Sequence, residues 1–397
     1  MSTIQEDPIV FVSAARTPMG AFQGEFSSLN ASQLGAVAIR AAVERAGISV
    51  DIVDEVIFGC VLPAGQGQAP ARQAALGAGL PLSVGASTIN KMCGSGMKAI
   101  MSAHDTILAG GAQVMVAGGM EHMTNAPYLI PKARGGYRIG HAMMYDHMML
   151  DGLEDAYEKG RSMGTFGEDC AAKYKFSREM QDEFAMGSVK RAQQAAKDGT
   201  FAWEIAPVTI VQRGQEQVID SDEGPRKINV EKLPSLKPAF KKDGTVTAGS
   251  SSSINDGAAA VIMMRQSKAK ALGLTPLATM VGHTTHAQEP NWFSTAPIGA
   301  IEKLMKKNQW TIDSVDLWEI NEAFAVVPMA AMHDLKISRD KVNVHGGACA
   351  LGHPIGASGA RVVVTLINAL RKNQKKRGVA TLCIGGGEAT AIGLELI

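Results

Sequence analysis

Two stretches of this 397-residue chain repeat one order of apolar strand, helix and glycine-closed strand, and that repetition narrows its possible folds more than any other feature. In the first stretch, Ile9-Val-Phe-Val12 reads as a buried strand followed by a polar turn at Arg16-Thr-Pro18. A helical pattern from Gln33 to Ala46 ends at Gly47, a C-cap residue, and Val53 to Phe58 reads as the next strand. Thr88-Ile-Asn90 then leads into a turn at Cys93, Met97 to Leu108 reads as a helix stopped by Gly110-Gly111, and Val114-Met-Val-Ala117 reads as a strand closed by Gly118-Gly119. The last third repeats the order with a helix from Ile301 to Asn308, a strand from Val315 to Ile320, a helix from Ala360 to Leu370 and a strand from Val379 to Ile384. Aligning Asp54-Glu-Val-Ile-Phe58 with Ser314 to Trp318, and Val116-Ala-Gly-Gly119 with Cys383 to Gly386, gives a common offset of about 260 residues. Two related α/β halves are therefore expected, with a site between them built from loops beyond strand ends.

Between the halves, residues 122–249 change character. Met143, Met144, Met148 and Met149, the turn Arg134-Gly-Gly136, an amphipathic helix from Arg178 to Lys197 and a polar loop from Asp220 to Pro225 read as an inserted cap rather than a third core. The methionines are expected to fill gaps, with an exposed subset available for a subunit contact.

Composition narrows the function classes. Hydrophobic content of 46%, charge of 19% and 43 glycines describe a globular α/β protein rich in tight turns. Net charge of +1 offers no basic face for nucleic acid, and the one basic run, Arg371 to Arg377, offsets the negative end of a helix dipole. No apolar run approaches the ~20 residues that cross a bilayer. The acidic start lacks a leader and the closing Leu394-Glu-Leu-Ile397 is no targeting address, so a cytoplasmic location is expected. Five cysteines without C-x-x-C spacing argue against disulfides and zinc, leaving reduced thiols.

Four short segments place a reactive or hydrogen-bonding side chain beside small residues: Asn90-Lys-Met-Cys93-Gly-Ser-Gly96, Asn321-Glu-Ala-Phe-Ala325, Gly352-His353-Pro354 and Cys383-Ile-Gly-Gly-Gly387. A thiolate that must touch a bulky thioester needs a backbone free of side chains, and free amides can hold a developing oxyanion. Cys93 at a helix entrance is expected to feel the dipole's positive end, which lowers a thiol pKa. Taken alone, such a cysteine is more often structural. His353, clamped between glycine and proline at a strand-to-helix turn, projects its imidazole off a helix entrance. Neither His345 nor His353 has H-E-x-x-H spacing or an acidic neighbour, so no metal is expected. Cys383 precedes three glycines whose amides can form an anion-holding nest, and Asn321 offers an amide to a water or to the histidine. Cys60 and Cys170 read as structural, and Cys349 stays open. Gly356-Ala-Ser358-Gly-Ala360 misses G-x-S-x-G, and Gly385-Gly-Gly387 misses G-x-G-x-x-G.

These segments, in this order, resemble the thiolase family over essentially the whole chain. Ala15-Arg-Thr-Pro18, Pro70-Ala-Arg-Gln-Ala74, Thr247-Ala-Gly249 and Asn255-Asp-Gly-Ala258 join the match. The acetyl-CoA C-acetyltransferase branch is the nearest in pattern. The resemblance implies a duplicated five-layer αβαβα core divided as 1–121 with 250–272, an inserted loop domain at 122–249, and 273–397. It implies Cys93 as nucleophile, His353 activating it and bonding the thioester oxygen, Asn321 holding a water in the same oxyanion hole, Cys383 as acid/base, and Gly385 with the Cys93 amide as a second oxyanion hole. For coenzyme A it carries over Met163, Arg226, Leu236, Phe240, Ala248, Ser252, Ala323 and Phe324. Ser162 stands where many short-chain members have histidine. Phe293 stands where many have an acyl-pocket methionine, and resembles members that accept 2-methyl-branched substrates. The implied chemistry is ping-pong condensation of two acetyl-CoA, with acyl-CoA and CoA as partners, no further cofactor, and a homotetramer whose contact loop is Pro127 to His147. Longer-chain thiolysis, decarboxylating ketoacyl synthesis and acyl-CoA binding without turnover are the alternatives.

Overall fold

Asn30 and Gln33 start the first long helix reciprocally: each side chain accepts the other's backbone N–H, and Gly47 in the left-handed region closes the helix at the expected residue. The computed structural model describes residues 7–397 apart from Arg213, so the acidic start read above lies outside the described residues. The first half contains β1 (Ile9–Arg16), β2 (Gly20–Ala21), α1 (Ala31–Ala46), β3 (Glu55–Gly59), α2 (Pro70–Gly77), β4 (Gly85–Ile89), α3 (Ser95–Leu108) and β5 (Val114–His122). An excursion follows, with β6 (Tyr128–Leu129), β7 (Tyr145–Asp146), α4 (Met163–Tyr174), α5 (Arg178–Lys197), β8 (Val208–Gln212), β9 (Gln215–Ile219) and α6 (Glu223–Lys227). The chain returns through β10 (Asn255–Arg265) and α7 (Gln266–Ala271). The second half comprises β11 (Ala278–Ala287), α8 (Ala296–Asn308), β12 (Leu317–Ile320), α9 (Val326–Leu335), α10 (Ala348–Leu351), α11 (Ile355–Lys372), β13 (Arg377–Ile384) and β14 (Glu388–Leu396).

The main sheet runs β12-β13-β14-β11-β1-β10-β5-β3-β4, with β2 added on β10. Outward from the β11/β1 seam the two sides match. On each side the first two pairings are antiparallel and the third is parallel, which is the duplication in hydrogen bonds. At the seam β1 and β11 pair antiparallel, with Phe11 opposite Ala278. Helices α1 and α2 pack on the first half, α8 on the second, and α3 and α11 lie between the two half-sheets, giving five layers. Helix α11 is buried on every side from Ile355 to Leu370, so its polar residues need internal partners. Thr365 and Asn368 find one in Glu204, and Arg361 reaches Asn321.

Three expectations change. Gly118 and Gly119 do not close β5, which continues to His122; a Cβ on Gly119 would overlap the Gly356 carbonyl, so the glycine lets the first turn of α11 lie directly on the strand. Arg16 belongs to no polar turn: it is fully buried, with Nε on Glu204 (2.6 Å) and two nitrogens on Asp222 (2.6 and 2.9 Å), which ties β1 to the inserted segment. His353 follows the helical turn α10 rather than a strand, because Gly347 packs against the buried Glu322 carboxylate and the chain bends there. Among the exposed large apolar residues are Tyr128, Ile130, Tyr137, Ile139, Met143 and Met144, whereas Met148 is buried. Among the described residues no helix is long and apolar enough to cross a membrane.

Candidate active site

Cys93 sits in a tight link between β4 and α3. Asn90 Oδ1 accepts the Met92 N–H (2.8 Å), and Ser95 Oγ accepts from Lys91 N (2.8 Å) while donating to Met92 O (2.6 Å). Met92 is held in the left-handed region at φ 47°, a conformation a bulky residue adopts only where surrounding bonds impose it. The two glycines of the motif serve close approach. A Cβ on Gly94 would overlap Ile384, next to Cys383, and one on Gly96 would lie 2.8 Å from Ala360 N and 3.0 Å from Gly356 O. The nucleophile turn is thus pressed against the β13 hairpin on one side and the first turn of α11 on the other.

Five free cysteines are present, and Cys93 alone is only partly buried as a residue. Its thiol is pushed up to about 11, chiefly by burial of the sulfur, with the Gly385 amide and its own amide pulling the other way and Glu121 adding to the rise. The expected lowering at the helix entrance is therefore outweighed by desolvation. Cys383 is also raised well above an ordinary thiol, first by burial and then by the charge of Cys93, so the two sulfurs sense each other across the pocket. Both start protonated, and a base is needed. Cys60, Cys170 and Cys349 are buried with raised values, and Cys349 lies on the Glu322 carboxylate, which also accepts from Ser188 and Asn343.

His353 is the candidate for that base. Gly352 has φ 91°, and a Cβ there would overlap the Asn255 amide, so only glycine can deliver the imidazole from this turn. Ser358 Oγ lies 3.0 Å from Pro354 O and 2.5 Å from His353 Nδ1, which holds the ring by that nitrogen. Nε2 is buried without a partner among the described residues. Burial, then the charge of Arg361, drives the imidazole down to about 3, which keeps it neutral. Cys93 and His353 each stand two residues before a central helix, α3 and α11, which pack against each other. Loss of the Ser358 hydroxyl in Ser358→Ala should free the ring and slow acyl transfer on the order of tenfold, the scale of one hydrogen bond, with rescue by Ser358→Thr separating positioning from folding.

Asn321, just past β12, is buried, and its Oδ1 accepts from Arg361 Nη2 (3.2 Å). Since Arg361 can only donate, Nδ2 is turned away from it and has no partner, leaving an unused donor. Behind it Glu319 pairs with Arg361 at 3.6 Å and is pushed up to about 8 by burial. The folded state thus retains a proton that the unfolded chain has lost above the ordinary carboxylate range. Stability from this group is present at low pH and falls as pH rises towards 8. Thermal melts of Glu319→Gln should lack that part of the fall, so the variant gains on the parent between pH 5 and 8; parallel curves would reject this.

The motifs did not announce Ser358, Arg361 or Glu121. Glu121 is the one charged residue of β5, and its buried carboxylate, raised to about 7 by desolvation, accepts the amides of Val61 (2.9 Å), Leu62 (3.1 Å) and Gly356 (2.8 Å). It clamps the loop after β3 to the entrance of α11. A charge near the end of an otherwise apolar strand was its signal in the sequence.

Aromatic walls stand beside Cys383. Met163, Phe240, Phe293 and Phe324 share its apolar cluster; Phe240 meets Phe324 edge-on at 5.8 Å, and Phe293 meets Phe166 at 5.9 Å. A Cβ on Gly385 would lie 3.4 Å from the Met163 sulfur. Ser252 donates from N (2.9 Å) and Oγ (3.0 Å) to Ala323 O, and the Gly249 backbone packs on Leu236. Ala248 is exposed beside Gly249, and Ser162 caps α4 without a side-chain bond. Arg226 stands apart on α6, exposed and paired with Glu25 (2.5 Å).

A duplicated α/β fold whose packed central helices are entered from a thiol and from a neutral imidazole, with a second thiol near the first, is the arrangement of a candidate acyltransferase. Sequence models of the thiolase N-terminal and C-terminal domains match residues 9–267 and 274–396. An acetyl-CoA acetyltransferase from Cupriavidus necator is 49% identical over 389 residues, 98% of this chain and 99% of that protein. Acetyl-CoA acetyltransferase 2 of Arabidopsis thaliana is 50% identical over 392 residues, 98% and 97% respectively. The crystal structure of the Bacillus anthracis acetyl-CoA acetyltransferase superposes with a TM-score of 0.95 at 41% identity, covering 98% of this chain and 99% of that one. The chain belongs to the thiolase family.

Proposed function

We propose that the protein is an acetyl-CoA C-acetyltransferase that joins two acetyl-CoA into acetoacetyl-CoA and CoA, reversibly and in ping-pong order. Relatives so named at about half identity over nearly full length support the activity. The observation that supports the residue roles is a set of polar groups left unused: Nε2 of His353 and Nδ2 of Asn321 are buried without a partner among the described residues, and the Gly385 amide lies on Cys93. His353 takes the Cys93 proton as sulfur attacks the thioester carbonyl, CoA leaves with a proton, and acetyl-Cys93 remains. Cys383, as the thiolate left once its proton has passed to the freed His353 imidazole, then removes an α-proton from a second acetyl-CoA, and the proton on His353 goes later to the Cys93 sulfur. The enolate attacks acetyl-Cys93, and the departing sulfur regains a proton. Asn321, through a water, and His353 serve one oxyanion; Gly385 and the Cys93 amide serve the other.

Met163, Leu236, Phe240, Ala248, Ser252, Ala323 and Phe324 form the proposed coenzyme A groove, with Arg226 at its outer end; no cofactor beyond the thioesters takes part. The division into 1–121 with 250–272, 122–249 and 273–397, a cytoplasmic location and a homotetramer joined through Pro127 to His147 belong to the same reading. The exposed apolar residues of that loop favour the last. Incubation with acetyl-CoA followed by peptide mapping should put one acetyl group on Cys93, and an unlabelled Cys93 rejects the proposal. A second reading, cleavage of 2-methyl-branched or longer 3-ketoacyl-CoA, draws on Phe293, which belongs to the same apolar cluster as Cys383. Relative cleavage rates of acetoacetyl-CoA and 2-methylacetoacetyl-CoA decide between the two.

A further inference from the structure

Far from the thiols, His104 and Asp105 near the end of α3 meet His283 of β11, a residue of the other half. His283 Nε2 lies 2.8 Å from Asp105 Oδ1, and His104 Nδ1 lies 3.1 Å from the same oxygen. One donor atom from each of the three side chains falls within 4.8 Å of the others, and the two imidazoles stand edge to face at 5.2 Å. His104 is only 6% exposed, and its second ring nitrogen has no protein partner. Asp105 is 53% exposed at its side chain, which leaves a route for an ion and room for a water. The three donor atoms therefore gather at one place that solvent reaches from the Asp105 side.

We infer that His104, Asp105 and His283 form a binding site for a zinc-class divalent ion that ties the first half of the fold to the second. Two imidazoles and one carboxylate with an open fourth position suit zinc or cobalt and do not suit magnesium or calcium, which demand more oxygen ligands. Zinc bonds of roughly 2.0–2.2 Å to nitrogen and oxygen require the three side chains to shift by no more than a few tenths of an ångström to about one ångström around the ion. The site is structural rather than catalytic: His104 lies eleven residues after Cys93, about 16 Å along the helix at 1.5 Å per residue. Lys307 donates to the His283 carbonyl (3.0 Å), and its positive charge opposes a second cation nearby. Replacing it by methionine should therefore tighten binding. Neither half supplies the full ligand set, so ion binding favours only the docked arrangement and raises the stability of the whole chain.

The test is calorimetric titration of the chelator-treated protein with zinc, using magnesium as a control, and repetition with His283→Ala and Asp105→Asn, both outside the catalytic machinery. Saturable zinc uptake, weakened by more than about tenfold in each variant, is expected, since loss of even an outer partner weakens metal sites by that much. Zinc should also raise the melting temperature of the parent and leave that of His283→Ala unmoved. Cobalt absorption identifies the donors. Bands of nitrogen and oxygen ligation support the assignment, whereas a thiolate charge-transfer band, or equal uptake by parent and variants, places the ion on Cys93 and Cys383 and overturns it.

Discussion

Cys383→Ser is expected to lower carbon–carbon bond formation by about 10²–10⁴-fold, the range contributed by a positioned acid or base. Acetyl transfer from acetyl-CoA to Cys93 should persist at near-parental rate. The separation follows from the chemistry. Loading needs only the Cys93 thiol, the His353 base and an oxyanion hole, whereas the second half-reaction must remove an unacidic α-proton. A hydroxyl is a far weaker acid than a thiol, so its conjugate base is not accessible in a pocket that already holds the native thiol above its ordinary value. Single-turnover acetylation of Cys93 measured beside steady-state condensation reads both steps. Condensation that survives in the variant would dismiss Cys383 as the acid/base and favour a carbanion generated by decarboxylation. Parallel loss of both steps would point instead to a collapsed pocket.

Arg16→Ala should cost about 3–5 kcal/mol, the scale for removing one partner of a buried ion pair. The guanidinium is fully buried, and its loss strands two carboxylates, Glu204 and Asp222, of which Glu204 also anchors Thr365 and Asn368 of α11. Urea denaturation gives the number, and a shift under about 1 kcal/mol, the scale of an exposed ion pair, contradicts it. A triple change of Arg16, Glu204 and Asp222 to apolar residues of similar size should recover part of the loss, because no charge is then left unpaired.

Legibility was uneven for physical reasons. Cys93, His353, Cys383 and Asn321 stood out because each lies in a short segment with small or φ-fixing residues, and the overlaps that a Cβ would create at Gly94 and Gly352 give that smallness its cause at two of them. Gly118 and Gly119 misled by the same logic, since inside β5 glycine serves the approach of α11 rather than a turn. The protonation state of Cys93 was also misjudged. A helix entrance is visible in sequence, but the burial that outweighs it depends on α11 and the β13 hairpin, more than 250 residues away. Arg16 looked like a surface turn because its two carboxylate partners lie in the inserted segment.

The amino-acid order by itself determined the duplicated α/β architecture, the candidate segments for the chemistry and the family they belong to, because strand and helix periodicity are local properties of the chain. Only the tertiary structure decided which ring nitrogen of His353 meets Ser358, which polar groups remain unused, that burial raises both thiols, and that two histidines from different halves meet at Asp105. Those are properties of desolvation and pairing between residues remote in sequence, and they come into being only when α3 and α11 close between the two half-sheets.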